Sequence, residues 1–303
     1  TVPGAPTSVA GTAGNTQVSL TWTAPSNGGS AITDYVVESS PDGTTWTVFA
    51  DGVSTAASAT VTGLTNGTAY TFRVSATNVA GTGATSTVSG SVTPRTVPGA
   101  PTSVAGTAGN TQVSLTWTAP VSNGGSAITD YVVEFNDGVS WATFADGTST
   151  AASATVTGLT NGTAYTFRVS ATNVAGTGAT STVSSAVTPA AVPGPPTSVA
   201  GTAGNTQVSL TWTAPASTGG SAITDYVVQS SPDGTTYTTF ADGTSTAAAA
   251  TVTGLTNGTA YTFRVAAVNA AGTGNFSTVS GAVTPRTVPN APTSVAGTAG
   301  NAQ

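Results

Sequence analysis

The sequence repeats itself three times at a spacing of about 95 residues, and this period constrains the fold more than any other feature. Trp22, Trp117 and Trp212 follow one another at intervals of 95 residues. The stretch 63–83 returns almost letter for letter in the next two repeats, at 158–178 and 254–274. Solenoid repeats are shorter, at roughly 20–50 residues. The period therefore predicts tandem whole domains, called modules below.

The stretch 63–83 also indicates the kind of domain. Aromatic or aliphatic residues occupy the even positions from Tyr70 to Ala76, and Thr, Arg or Ser occupies the odd positions. Alternation with a period of two is the pattern of a half-buried antiparallel strand. An Asn66-Gly67 turn precedes this strand and a glycine-rich loop follows it. The sequence therefore predicts an all-β module with short turns.

Four motifs give the module a resemblance to a known family. Trp22 lies in Val-Ser-Leu-Thr-Trp, Tyr35 in Asp-Tyr-Val-Val-Glu, Leu64 stands six residues before Tyr70, and residues 76–81 read Ala-Thr-Asn-Val-Ala-Gly. All three repeats resemble fibronectin type III modules, and most closely those of bacterial and phage extracellular surface fibres. The resemblance implies a seven-stranded, immunoglobulin-like sandwich in which strands A, B and E face strands C′, C, F and G.

The repeats divide the chain into three modules and a remainder. We expect modules at 1–94, 95–189 and 190–285, followed at 286–303 by a linker and strand A of an incomplete fourth module. The junctions are short and rich in proline, and such linkers restrict bending. We therefore expect the modules to sit end to end as a rod.

The two ends of the sequence suggest a segment of a longer array. Residues 287–296 repeat residues 1–10 with one change, and the sequence stops at the counterpart of Gln17. A single strand A cannot pair its own backbone groups, so we expect the natural polypeptide to continue. The alternative is that this strand is donated to another chain. Because the sequence has no Met, we also expect residues upstream of Thr1.

The strand alternation makes side-chain predictions that the structure can test. Strand G is predicted over about 85–93, with Val88 and Val92 inward. Strands C and F are neighbours in the implied sheet, and their outward positions predict two ion pairs, Glu38 with Arg73 and Glu134 with Arg168. The third module carries Gln229 in place of the acid, so Arg264 should lack this pair.

Composition excludes most chemistry. The chain has no Cys, His, Met or Lys, and its five basic residues are all Arg. Nucleophilic pairs that use His, Cys or Lys and zinc sites of the usual kind are therefore absent. A net charge of −6 without a basic cluster argues against nucleic acid. No apolar run reaches the roughly 18 residues of a membrane span. We expect no enzyme activity, no cofactor and no metal.

Two polar features leave alternatives open. Asp34, Glu38, Asp42 and Asp51 and their counterparts could form a glycosidase-like carboxylate pair, but solvated strand ends and turns explain them more simply. Asn66, Asn161 and Asn257 each begin an Asn-Gly-Thr glycosylation sequon. A plain Asn-Gly turn before strand F is the interpretation we favour.

One aromatic in each module is the candidate interaction surface. Trp46 and Phe49 are three residues apart on one short strand, so a regular strand must turn one of them outward. Either the strand bulges and buries both, or one aromatic shows on the sheet. Such an aromatic can pack onto its own sheet, or it can stack on a sugar ring or a neighbouring chain. The candidates are Trp46, Trp141 and Tyr237.

These features lead to two hypotheses for the function. The first is a non-catalytic, extracellular structural or adhesive array, a spacer or filament-forming part of a cell-surface protein or virion appendage. Its partners would be neighbouring copies of itself or surface glycans. The alternative is that the modules are sugar-binding or spacer regions of a secreted carbohydrate-active enzyme.

Overall fold

The computed structural model describes residues 1–288 together with residues 291, 293, 294, 296, 297 and 300, and these residues form 21 β-strands and no helix. Each repeat contains two antiparallel sheets, one of three strands and one of four. The predicted all-β class and the tandem sandwich modules are thereby confirmed. The expected rod stays a prediction.

The first module has the strand order that the resemblance implies. Its strands are β1 (Thr7–Gly14), β2 (Gln17–Thr23), β3 (Ile32–Ser40), β4 (Thr47–Phe49), β5 (Ser58–Thr62), β6 (Thr71–Asn78) and β7 (Gly81–Thr82). One sheet has the order β1-β2-β5 and the other has the order β4-β3-β6-β7. These are the A-B-E and C′-C-F-G sheets.

The other two modules repeat this arrangement strand by strand. The second module contains β8 (Thr102–Gly109), β9 (Gln112–Thr118), β10 (Asp130–Asn136), β11 (Trp141–Phe144), β12 (Ser153–Thr157), β13 (Thr166–Asn173) and β14 (Gly176–Thr180). The third module contains β15 (Thr197–Gly204), β16 (Gln207–Thr213), β17 (Ile223–Ser231), β18 (Thr238–Phe240), β19 (Ala249–Thr253), β20 (Thr262–Asn269) and β21 (Gly272–Thr273).

The alternating apolar side chains form the core between the two sheets. Val18, Leu20 and Trp22 of β2 are buried, whereas Ser19 and Thr21 between them are exposed. Trp22 meets Tyr35 of the opposite sheet edge to face, with ring centroids 5.1 Å apart. Aromatic pairs favour this geometry over a face-to-face sandwich. The period-two pattern therefore fixes which face of each strand is inside.

The predicted strand G is wrong in its extent and in one of its two inward residues. We expected a strand over about 85–93, but β7 ends at Thr82. Val92 packs against the core as expected and forms an isolated antiparallel bridge with Tyr70. Val88, in contrast, is 51% exposed.

The physical reason is the register between this segment and β6. From one hydrogen bond to the next, the segment advances by three residues while the chain of strand F advances by two. The amides of every third residue donate at 2.8 Å to alternate carbonyls of β6 and of the residue just before it, in the pairs Ser86 with Val74, Ser89 with Phe72 and Val92 with Tyr70. The serine hydroxyls replace backbone acceptors, because Ser86 Oγ accepts the Val74 amide at 3.1 Å and Ser89 Oγ accepts the Phe72 amide at 3.0 Å. Assigning side chains to the inner and outer faces by a period of two therefore fails in this segment.

The chain divides into two compact units. The first comprises Thr1–Gly106, Ser114–Val156 and Tyr165–Ala186. The second comprises Thr107–Val113, Thr157–Ala164 and the described part of Val187–Gln303. The boundary runs through the second module, so the junction between the first two modules lies within the first unit. The junction before the third module lies within the second unit.

The expectation for the end of the chain falls largely outside the described residues. Pro292 and Val295, on which the predicted fourth strand A depends, are not among them. The described residues 291, 293, 294, 296 and 297 carry no strand. The longer-array and strand-donation interpretations both stay predictions.

Candidate functional site

The three predicted aromatics lie where the fourth strand of each module begins. Trp46 and Tyr237 directly precede β4 and β18, and Trp141 is the first residue of β11. All three are half-buried. Phe49, at the other end of β4, packs against the core. In the first module the structure therefore packs one aromatic of the pair against the core and leaves the other on the sheet surface, without the bulge that would bury both.

An arginine of the neighbouring strand F lies over each of these rings. Arg73 stands between the buried Phe72 and Val74 on β6, so its side chain points away from the core. Its guanidinium carbon is 4.3 Å from the ring centroid of Trp46. Arg168 lies in the same way 4.2 Å from the ring centroid of Trp141. These distances are typical of cation–π contacts. Each aromatic therefore packs onto its own sheet.

A glutamate of strand C completes the stack in the first two modules. Arg73 Nε donates to Glu38 Oε2 and Arg73 Nη2 donates to Glu38 Oε1, both at 2.8 Å. Arg168 and Glu134 form the same two-pronged pair at 2.9 Å. Both predicted ion pairs are confirmed, and they follow from the register in which each glutamate lies directly opposite its arginine.

The third module replaces the ion pair with an aromatic sandwich. Arg264 Nε donates to Gln229 Oε1 at 2.8 Å, and the arginine forms no ion pair among the described residues, as predicted. Its guanidinium carbon lies 4.0 Å from the ring centroid of Tyr237 and 4.4 Å from that of Phe276. The first two modules have threonine at the position of Phe276. The sequence analysis did not assign Phe276 this contact. The sequence did carry a signal, because Gln229 and Phe276 both differ from their counterparts in the first two modules.

The charged side chains in and around the stacks are held by hydrogen bonds. The hydrogen bonds to Glu38 raise the pKa of Arg73 above its usual value, so the guanidinium stays charged at any working pH. Asp42 caps its own turn, where Oδ1 accepts the amides of Thr44 and Thr45. Asp34 Oδ1 accepts the amide of Ser54 at 3.0 Å. These carboxylates stabilise turns and ion pairs.

The sequon asparagines tie two turns together. Asn66 Oδ1 accepts the amide of Thr16 at 2.8 Å, and Asn66 Nδ2 donates to Asn15 Oδ1 at 2.8 Å. Asn161 and Asn257 make the same two contacts in their own modules. The amide nitrogen that a glycan would modify therefore already has a structural partner. The plain Asn-Gly turn is the interpretation we favoured, and glycosylation at these residues stays untested.

A second asparagine of each module has a structural role that sequence reasoning missed. Asn173, at the end of β13, is 4% exposed. Its Nδ2 donates at 2.8 Å to the carbonyls of Thr96 and Asn123, and its Oδ1 accepts the amide of Ala175 at 2.8 Å. The side chain thus joins the linker to two loops. Asn78 and Asn269 repeat these three contacts. The signal was the recurring Asn directly after strand F.

Two further kinds of feature are absent from the part of the chain that the structure describes. No group of three or more Asp, Glu, His or Cys side chains is placed to hold a metal ion. No helix there is long and apolar enough to cross a membrane.

Comparison with known proteins finds the same modules elsewhere. The model of the fibronectin type III domain matches residues 4–91, 99–187 and 194–282. Chitinase A1 of Niallia circulans is 38% identical over 183 residues, which are 58% of this chain and 24% of the relative. Exoglucanase A of Cellulomonas fimi is 47% identical over 207 residues, 64% of this chain and 22% of the relative. Fibronectin type-III domain-containing protein 3a of Gallus gallus is 32% identical over 274 residues, 88% of this chain and 22% of the relative. The chain thus spans less than a quarter of each relative.

Proposed function

The chain belongs to the fibronectin type III family, and we propose that it is a non-catalytic spacer region of a secreted carbohydrate-active enzyme. The observation that carries this proposal is the likeness to short stretches of a chitinase and an exoglucanase. Because the matched stretches cover so little of those proteins, the catalytic domain of this one would lie outside residues 1–303. This is the alternative of our two hypotheses, and the comparisons favour it over a surface fibre.

The surface of the modules supports a spacer better than a sugar-binding site. Sugar-binding aromatics present an open ring face to the ligand. Here one face of Trp46 and of Trp141 is occupied by an arginine that the adjacent glutamate holds in place. Ring surface that is already stacked is less available for a sugar. The near-identical loops of the three repeats also suit a spacer, since recognition modules would be expected to diversify their loops.

The coding sequence on either side of residues 1–303 tests whether these modules belong to an enzyme. A spacer of a carbohydrate-active enzyme requires a glycoside hydrolase domain in the same polypeptide. A coding sequence that continues only into further copies of the module, or into a surface anchor, would overturn the proposal.

Two measurements on the chain itself distinguish the remaining readings. In sedimentation with insoluble chitin and cellulose, we expect the chain to stay in the supernatant. Retention that disappears in the triple variant W46A/W141A/Y237A would establish sugar binding instead. In electron microscopy we expect single particles, whereas fibres would support the filament-forming array.

A further inference from the structure

The linker between the first two modules is bound to both of them by backbone hydrogen bonds at adjacent residues. The Arg95 amide donates to the Gly14 carbonyl of the first module at 2.9 Å. The very next amide, that of Thr96, donates to the Gly124 carbonyl of the second module at 2.8 Å. A hinge needs residues whose backbone angles can change without loss of contacts. Adjacent residues bound to different modules leave no such stretch.

Further contacts hold the linker on both sides of this point. The Pro94 carbonyl accepts the amide of Gly67 at 2.9 Å, which ties it to the first module. The Thr96 carbonyl accepts from the buried side chain of Asn173, which ties it to the second. All of these residues belong to the first compact unit. Each side of the junction is thus fixed by at least two hydrogen bonds.

The second junction shows that this pattern does not depend on linker side chains. Ala190 and Ala191 stand where the first linker has arginine and threonine. Their amides nevertheless donate to the carbonyls of Gly109 at 3.1 Å and Gly219 at 2.8 Å. Both bonds lie within the second compact unit. The connection is therefore made by backbone groups and tolerates sequence change in the linker.

A direct contact between the two modules accompanies the linker bonds. Gly125 lies against the Asn66-Gly67 turn of the preceding module so closely that a Cβ atom added to it would stand 2.7 Å from the Asn66 carbonyl carbon. Real Cβ atoms do not approach other atoms this closely. Gly220 meets Asn161 in the same way, also at 2.7 Å. The contact admits only glycine.

The first module provides an internal comparison. Gly29 occupies the same loop position as Gly125 and has nearly the same φ, +89° against +84°. A Cβ atom added to Gly29 would have nothing within 4 Å. The backbone angle of this glycine is therefore a property of the loop, whereas the crowding at Gly125 is a property of the junction.

From these contacts we infer that the Gly-Gly loop of each module is a docking surface for the Asn-Gly turn of the module before it. Together with the linker hydrogen bonds to both modules, this contact fixes the orientation of the two modules at each junction. The linker is therefore not a flexible tether. The inference rests on the described contacts and stands independently of the enzymatic context proposed above.

Distance measurements between two spin labels test the coupling. The chain has no cysteine, so V48C and V139C, at positions 59% and 88% exposed, place one label on each of the first two modules. We expect one narrow distance distribution in this parent. G125A should broaden it, because the added methyl group forces the turn away. G29A imposes the same backbone strain without the contact, and should leave the distribution narrow.

A second pair of variants covers the case in which G125A fails to fold. G67A adds a methyl group 3.1 Å from the Gly125 Cα at φ +86°, and its counterpart G258A, at φ +85°, has open space. We expect broadening for G67A only. A broad distribution in the parent would overturn the fixed orientation. A distribution equally narrow in G125A and G29A, with both folded by circular dichroism, would overturn the docking surface.

Discussion

Replacement of Asn173 by alanine should melt the second module ahead of the other two. The buried side chain makes three hydrogen bonds of 2.8 Å each, two as donor and one as acceptor. A net contribution of about 0.5–1.5 kcal/mol for each gives a loss of about 3 kcal/mol. For a module of this size, 1 kcal/mol lowers Tm by roughly 4–8 °C, so the expected fall is roughly 12–24 °C.

Differential scanning calorimetry of the whole chain measures this fall as a separate, earlier transition. The matched control is T177A, which removes an exposed hydroxyl contact of 2.9 Å on the next strand. Such a surface change should stay within about 0.5 kcal/mol. If N173A shifts Tm no more than T177A does, the asparagine does not hold the linker and loops as the contacts suggest.

The isosteric variant N173D adds a dependence on pH. The new carboxylate would face the two carbonyl oxygens that the amide nitrogen now serves, so its folded-state pKa should lie above the unfolded value of about 3.9. A raised folded-state pKa contributes stability below the unfolded pKa, and this stability is lost as pH rises through the folded pKa. N173D should therefore be closer to N173A in Tm at neutral pH than at acidic pH. A Tm difference that does not change with pH would contradict this.

Three further predictions follow from other contacts. E38Q gives the first module the glutamine that the third carries naturally, so the Tm should fall slightly at low salt and the difference should shrink at high salt, because salt partly screens this half-buried ion pair. The hydrogen bonds from Thr45, Thr44 and Ser40 lower the pKa of Asp42, and the equivalent bonds lower that of Asp233, so this stability is present above the unfolded pKa and is lost as pH falls below it; the Tm of D42N/D233N should change less between neutral and acidic pH than that of the parent. S86A should destabilise by about 1–3 kcal/mol in urea unfolding, because it leaves the Val74 amide without its hydroxyl acceptor. The control for S86A is V88S on the same segment, which should be neutral; a large loss of stability there would contradict the three-to-two register.

Much of the fold was readable from the sequence because burial in a sandwich follows a period of two. Val18, Leu20 and Trp22 went to the core for this reason, and the register of strands C and F placed Glu38 opposite Arg73. The last strand was not readable in this way. Its hydrogen bonds depend on serine hydroxyls that stand in for backbone acceptors, and alternation cannot show that substitution.

The candidate site was only partly predictable. The pairing of Trp46 with Phe49 correctly signalled an outward aromatic, but its arginine cover depends on the neighbouring strand and on side-chain reach. The role of Asn173 arises from three segments that are distant in sequence. No local sequence pattern shows that these segments meet, so the sequence analysis assigned the residue no specific role.

The segment 85–93 beside β6, whose serine hydroxyls bond to that strand, also affects whether copies of this module associate wrongly. Adjacent domains of nearly identical sequence are prone to exchange strands while they fold, and an exposed regular edge invites pairing between molecules. Here the amides of Phe72 and Val74 are already taken by serine hydroxyls. In a strand from another molecule, the backbone groups available for pairing repeat every two residues. They would not match the three-residue spacing of hydrogen bonds along this segment. The edge is thereby protected against aggregation without lysine or proline at these positions, and a chain can carry many copies of the module in succession.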